Sequence, residues 1–181
     1  MSRPVGAAPA LRVCSCLTAL PDLLPEVESA LVEVFGEVGM TSGAYEFPCG
    51  DYYRDELGDG IRRTWYLFRR LCRPERLAES RRLTGAIEAR FARDERRRVN
   101  LDPGYLDHGK LVLASRKEAP DKLYLGEGVW AHTCLRYHDG GFEAPVHSFP
   151  DFRDGRFARF MMQARALYKS LLRETQASGA G

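Results

Sequence analysis

Two periods run through the apolar positions of this chain. Leu24, Val27, Leu31 and Phe35 recur at spacings of three and four, the repeat of one helix face. Leu77, Thr84, Ile87 and Phe91 repeat it, with Arg81, Arg82, Glu88 and Arg90 mostly outside the stripe, and Pro74 suits the first turn. Phe157, Phe160, Met161, Ala164, Tyr168 and Leu171 predict a last helix from about Gly155 to Glu174. Between these stretches lie short apolar runs of strand character: LRVCSCLTAL (11–20), Ser42–Pro48, RRTWYLFRRL (62–71), Val99–Leu101, Leu111–Leu113, Lys122–Leu125 and Val129–Tyr137. In the longest, strict alternation puts Val129, Ala131, Thr133, Leu135 and Tyr137 on one face, and Trp130, His132, Cys134, Arg136 and His138 on the other.

Turn residues punctuate the pattern. Pro21-Asp22 ends the first run, and Gly36 and Gly39 close the first helix. Asp139-Gly140 is a hairpin signal. The polar segment GDYYRDELGDG, broken by Gly58 and Gly60, is expected to be a loop. Asp102-Pro103-Gly104 is expected to be a tight turn, because proline presets one φ angle and glycine accepts a positive one.

The resulting order is βαββαβ, then further antiparallel strands and a terminal helix. It predicts one α+β domain with a mixed or antiparallel sheet, and it permits a ferredoxin-like βαββαβ core extended by hairpin strands. Residues 1–10 are expected to be disordered, 11–174 to form the domain, and 175–181 to be a flexible tail.

The chain has 181 residues, a size that suits one domain, and a formal net charge of only +2, too small to indicate nucleic acid. Lysine occurs only at Lys110, Lys117, Lys122 and Lys169; the other basic side chains are arginine. No apolar run reaches the roughly 20 residues that span a bilayer, so no membrane association is expected. The five cysteines, Cys14, Cys16, Cys49, Cys72 and Cys134, contain no Cys-x-x-Cys pair and read as buried thiols of a cytoplasmic protein.

Several chemistries are unsupported. The sequence lacks G-x-x-x-x-G-K-[ST], a G-x-G-x-x-G after a strand, G-x-S-x-G and H-E-x-x-H. What remains is a cluster of polar side chains in two stretches. Asn100, Asp102, Tyr105 and Lys110 lie in or beside the Asp-Pro-Gly segment, and Asp51, Tyr53 and Glu56 lie in the acidic segment before it. Asp102, Lys110 and Glu56 are the candidates for proton transfer. Asp51, Tyr53, Arg63, Asn100, Tyr105, Lys117 and Arg153 are the candidates for holding a ligand, the cations meeting an anion by charge-assisted hydrogen bonds. Spacing does not favour a metal: alternate residues on a strand are about 6.6–6.8 Å apart, too far for His132 and His138 to chelate together.

The stretches GDYYRDELG, RRVNLDPGYLDHGKLVLAS, KLYLGEGVWAHTCLRY and SFPDFR, in this order, resemble a bacterial and archaeal family catalogued as domain of unknown function 4416. VNLDPGYL is the most specific part, and the similarity runs from about Arg12 to Arg173. The matched positions include Asp51, Tyr52, Tyr53, Glu56, Asn100, Asp102, Gly104, Tyr105, Lys110, Ser115, Lys117, Asp151 and Arg153. The family pattern tends to have His-Arg at Asp121-Lys122 and glutamate at His132. The resemblance implies one full-length domain and brings no activity with it.

The residues themselves lead to two expectations. The first is a small domain, whether or not an enzyme, that binds a phosphorylated or nucleotide-like anion where the Asp-Pro-Gly segment meets the acidic segment. The second is an RNA- or protein-interaction module built on the arginine-flanked aromatic strand at Trp65, Tyr66 and Phe68.

Overall fold

The first apolar run, Leu11–Thr18 (β1), forms the centre on which the other elements are laid. The structure, a computed structural model, describes residues 6–48 and 51–178. After β1 come α1 (Leu24–Phe35), β2 (Val38–Thr41), β3 (Tyr45–Glu46), α2 (Asp51–Leu57), β4 (Arg62–Phe68), α3 (Leu77–Phe91), β5 (Asn100–Leu106) and β6 (Lys110–Ser115). The chain continues through β7 (Leu123–Gly126), β8 (Val129–His138), β9 (Gly141–Glu143), α4 (Pro150–Arg153) and α5 (Ala158–Ser178).

All strands join one antiparallel sheet in the order β2-β4-β1-β5-β6-β8-β7, with β3 beside β4 and β9 beside β8. The fold is a single α+β domain. Because side chains alternate across a strand, β1 sends Cys14 and Cys16 to one face and Leu11, Val13, Ser15 and Leu17 to the other. On the first face α1 and α3 bury Val27, Leu31, Phe35 and Ile87 against Cys14, Cys16, Tyr66, Phe68 and Leu101. On the second, α4, α5 and the segment between them bury Phe152, Phe157, Met161, Ala164 and Tyr168 against Leu11, Val13, Trp65, Leu67 and Leu106. Each large side chain so buried contributes about 1.5–3 kcal/mol.

The structure departs from the sequence expectation in four places that bear on function. The acidic segment is the short helix α2, a seven-residue run that ends just before Gly58. Asp102-Pro103-Gly104 is not a turn: β5 runs straight through it, with Cys14 opposite Pro103 and Val13 opposite Gly104. Glycine is required there by crowding, since a Cβ on Gly104 would stand 2.2 Å from the Val112 carbonyl oxygen. Proline is tolerated because β6 pairs with β5 only from Gly104 onwards, so no ladder partner lies beside it on that side. Third, a bulge lets Leu111 face Leu135 while Val112 faces Thr133. Cys134 is the extra residue, and both it and Leu135 enter the α5-side core, breaking the strict alternation. Finally, Arg81 and Glu88 lie inside the buried face of α3 rather than outside it. The terminal helix also runs to Ser178, four residues beyond its expected end, and the expected Ser42–Pro48 strand is replaced by β2 and β3.

Candidate functional site

β5 and β6 lie side by side from Gly104↔Leu113 to Leu106↔Leu111 and separate beyond it. Had the register continued, Asp102 would face Ser115 and Asn100 would face Lys117. Instead β6 ends in a hydroxyl-closed turn. The Lys117 N–H donates to Ser115 Oγ, and Lys122 Nζ donates to both Ser115 Oγ (2.9 Å) and the Lys117 carbonyl (3.0 Å). The sheet therefore carries a slit, a hollow of about 290 Å³ lined by Tyr53, Glu56, Arg81, Arg97, Asn100, Asp102, Ser115, Arg116 and Lys117.

Parting the strands exposes backbone groups that need partners. On the α3 side, Glu88 Oε1 accepts the Leu101 N–H at 2.7 Å. Its other oxygen accepts from Arg81 Nη2 at 3.2 Å, and Arg81 Nη1 donates to Thr84 Oγ1 at 3.1 Å. Residues 77, 81, 84, 88 and 91 share one helix face, which is how α3 delivers this pair to the slit. On the α2 side, Arg97 bridges Glu56 and Asn100 Oδ1, and Asn100 Nδ2 donates to Asp102 Oδ2 at 2.8 Å. Tyr53 packs edge-on against Phe47, and Lys117 Nζ lies 5.1 Å from the centre of its ring.

Arg116 reaches the same hollow from the end of β6. Its Nη2 lies 2.7 Å from where a Cβ on Gly85 would stand, and Arg81 Nη1 lies 3.9 Å from that point. Two guanidinium groups thus crowd over one helical glycine. Arg81 has Glu88, whereas Arg116 has no ion-pair partner among the described residues.

Beneath the slit on the α5 side is a second, closed layer of polar groups. Arg63 is 2% exposed; it donates from Nε to Asp151 Oδ2 at 2.7 Å and from Nη1 to Ser15 Oγ. Phe47, Phe152 and Trp65 surround its guanidinium at 5.0–5.5 Å. Burial pushes the Asp102 carboxyl above its ordinary range, against the opposing pull of Arg63 and then Arg81. Burial likewise raises Glu88, with Arg81 opposing, and lowers the imidazole of His132, whose partner is Asp121.

Of the residues singled out in the sequence, Tyr53, Glu56, Asn100, Asp102 and Lys117 line one hollow. Arg63 lies below it and is committed to Asp151. Lys110 does not join them: it is at the opposite end of the β5–β6 hairpin, paired with Asp107 at 2.6 Å. Tyr105 faces the α3 layer among Leu77, Val112 and Val129, and Arg153 is exposed on α4 beside the buried Asp151. The side chain of Asp51, like Cys49, lies outside the described residues. Arg81, Arg97, Ser115 and Arg116 were not among the sequence candidates. For Arg81 the signal was present, since 77, 81, 84, 88 and 91 keep the spacing of a buried helix face. For Arg116 no local pattern gave it away. A larger and more open hollow, about 680 Å³, lies between α1 and β4; Tyr66 of the aromatic strand lines it, and none of the candidates for proton transfer or ligand holding does.

No helix among the described residues is long and apolar enough to cross a membrane, and no group of three or more His, Cys, Asp or Glu side chains among them is placed to hold a metal ion. A family model described as domain of unknown function (DUF4416) matches residues 8–168. The chain belongs to the DUF4416 family. The match takes in β1 through most of α5, so every described wall of the slit falls inside the DUF4416 region. No curated protein and no solved structure gives a match.

Proposed function

We propose that this DUF4416 protein binds a small phosphorylated metabolite in the slit between β5 and β6. The observation that carries the reading is Arg116, a guanidinium without a carboxylate partner among the described residues, seated on Gly85 beside Arg81 and facing the same hollow as Arg97 and Lys117. Four cationic side chains line the hollow against two carboxylates, Glu56 and Asp102. Two guanidinium groups held side by side repel each other, and a phosphoryl group between them relieves that repulsion through paired N–H···O contacts.

Size narrows the class. A hollow of about 290 Å³ is at the small end of ligand pockets, which suits a compact metabolite with one phosphoryl group better than a dinucleotide. Tyr53 offers a ring for the uncharged part. Asp102, with its raised proton affinity and its bond from Asn100, is the group positioned to exchange a proton with the ligand, which keeps an enzymatic role within this reading. Four buried thiols without disulfides, at Cys14, Cys16, Cys72 and Cys134, fit a reducing cytoplasm.

The interaction-module reading draws no comparable support, because Trp65, Tyr66 and Phe68 are all in the core and offer no stacking surface. The test is a thermal-shift and calorimetric comparison of inorganic phosphate and small phosphorylated sugars and acids, with wild type beside Arg116→Gln. A ligand at 100 times its dissociation constant stabilises the fold by about 2.7 kcal/mol. Stabilisation of wild type that Arg116→Gln loses supports the reading; equal shifts in both proteins overturn it.

A further inference from the structure

The slit is chemically polarised from one face of the sheet to the other. On β6, Val112 and Ala114 pack with Leu77 of α3, so alternation carries Arg116 to that same face, where it meets Gly85 and Arg81. On β5, Asn100, Asp102 and Gly104 stand opposite Leu17, Ser15 and Val13, the residues of β1 that face α5. The two guanidinium groups therefore lie on the α3 side of the hollow, and the Asn100 amide and Asp102 carboxylate on the α5 side.

Hydrogen bonds on the α5 side run in one direction. Arg97 donates to Glu56 and to Asn100 Oδ1, and Asn100 Nδ2 donates in turn to Asp102 Oδ2. Asp102 ends the chain with acceptor capacity to spare, since a carboxylate offers about four lone-pair sites. Its Oδ1 accepts from no group among the described residues, where the one sealed side-chain oxygen without a partner is Asp151 Oδ1. Asp102 Oδ1 is thus open to the hollow that Asp102 lines. The charges of Arg63, Arg81 and Arg97 already bear on this carboxylate, so a further cation is repelled and a neutral O–H is the donor that fits. A ligand carboxylate would meet Asp102 as a like charge.

We infer that the ligand of the slit is a phosphorylated polyol, held with its phosphoryl group against Arg81 and Arg116 and with a hydroxyl donating to Asp102 Oδ1. This ligand class rests on the phosphoryl-binding reading above, to which it adds a second functional group and an orientation. Asp102 becomes the residue that rejects phosphorylated acids. Net charge alone gives the opposite order, because four cationic side chains against two carboxylates favour the more anionic compound.

Calorimetric titration with glycerol 3-phosphate, 3-phosphoglycerate, propyl phosphate and inorganic phosphate tests it. Wild type is expected to bind glycerol 3-phosphate about tenfold or more tighter than propyl phosphate, which has no hydroxyl, and than 3-phosphoglycerate, in which a carboxylate replaces one. Asp102→Asn keeps an acceptor and loses the charge, and is expected to narrow the gap to 3-phosphoglycerate to about threefold or less. Circular dichroism checks that the variant is folded; if it is not, the wild-type order alone decides. Propyl phosphate or 3-phosphoglycerate binding at least as tightly as glycerol 3-phosphate overturns the hydroxyl assignment and leaves the phosphoryl site standing. So does a folded Asp102→Asn protein that keeps the wild-type gap. No binding of any of these compounds, inorganic phosphate included, overturns both.

Discussion

Arg63 and Asp151, 88 residues apart in the chain, meet in an ion pair of 2.7 Å with side chains only 2% and 0% exposed. It ties α4, and through it the loop before α5, to the centre of the sheet directly below the slit. Removing one partner of such a pair leaves a charge in the core, which costs about 3–5 kcal/mol. Asp151→Ala is therefore expected to lower the urea midpoint sharply, and the double variant Arg63→Met/Asp151→Leu to recover most of the loss. A single variant within 1 kcal/mol of wild type on the same titration, using the ~1 kcal/mol worth of an exposed pair as the yardstick, would mean the pair is not buried in solution.

Gly104→Ala tests the reason for glycine in the most specific part of the family motif. The added methyl meets a backbone oxygen, not a movable side chain. Overpacking of this sort costs about 3 kcal/mol or more. Chemical denaturation should show that loss; an unchanged midpoint would mean β5 and β6 are further apart than described.

Gly85→Ala separates stability from ligand binding. Alanine is better than glycine inside a helix by about 1 kcal/mol, and the atom it displaces is the mobile end of Arg116. The variant is expected to be at least as stable as wild type, yet to bind phosphate compounds more weakly because Arg116 has lost its seat. Unchanged affinity by calorimetry would remove Gly85 from the account of the site.

Asp102→Asn tests the electrostatics by pH. A carboxyl whose proton affinity is raised by folding binds more protons folded than unfolded between its ordinary and raised pKa values. It therefore contributes most favourably in acid, and its contribution is lost as pH rises through the raised value. Asp102→Asn should unfold at a higher denaturant concentration than wild type at neutral pH, with the gap closing towards the ordinary range of an aspartate. A gap that is constant across pH would mean Asp102 titrates as if in water.

Thiol labelling probes both buried layers, Cys14 and Cys16 beside α1 and α3 and Cys134 on the α5 side. Burial pushes the Cys16 thiol up to about 12, and Cys14 and Cys134 also rise by burial. At pH 8 a thiol of that kind is ionised in about one molecule in ten thousand. Peptide mapping after iodoacetamide treatment should find Cys14, Cys16 and Cys134 unmodified in the native protein and modified in denaturant. Labelling of all three without denaturant would point to an open core.

Much of this architecture was legible in the spacing of apolar residues. The Leu24–Phe35 and Leu77–Phe91 repeats marked the two helices on one face, and Asp139-Gly140 marked the β8–β9 hairpin. The slit was half legible. Asn100, Asp102, Tyr53, Glu56 and Lys117 were drawn together by residue type. The Asp-Pro-Gly segment was misread because glycine serves either positive φ or close approach, and only the position of Val112 distinguishes them. The inward turn of Leu135 was hidden for a related reason: a bulge changes facing without changing composition. Lys110 and Tyr105 were in or near the motif in sequence but not at the slit, since a hairpin sends its two ends apart and a strand sends alternate residues to opposite faces; Arg153, on α4, was drawn in by residue type alone.

The Lys122 clamp on the Ser115–Lys117 turn has a topological consequence. By holding β6 away from β5, it makes a window through the middle of the sheet, so groups from opposite layers, Arg81 above and Asp102 below, can touch one guest. Pockets in layered folds are ordinarily built along the rim of a sheet or on top of it. Here the guest would occupy the place of missing rungs, becoming a strut between two halves that covalent chain alone leaves apart.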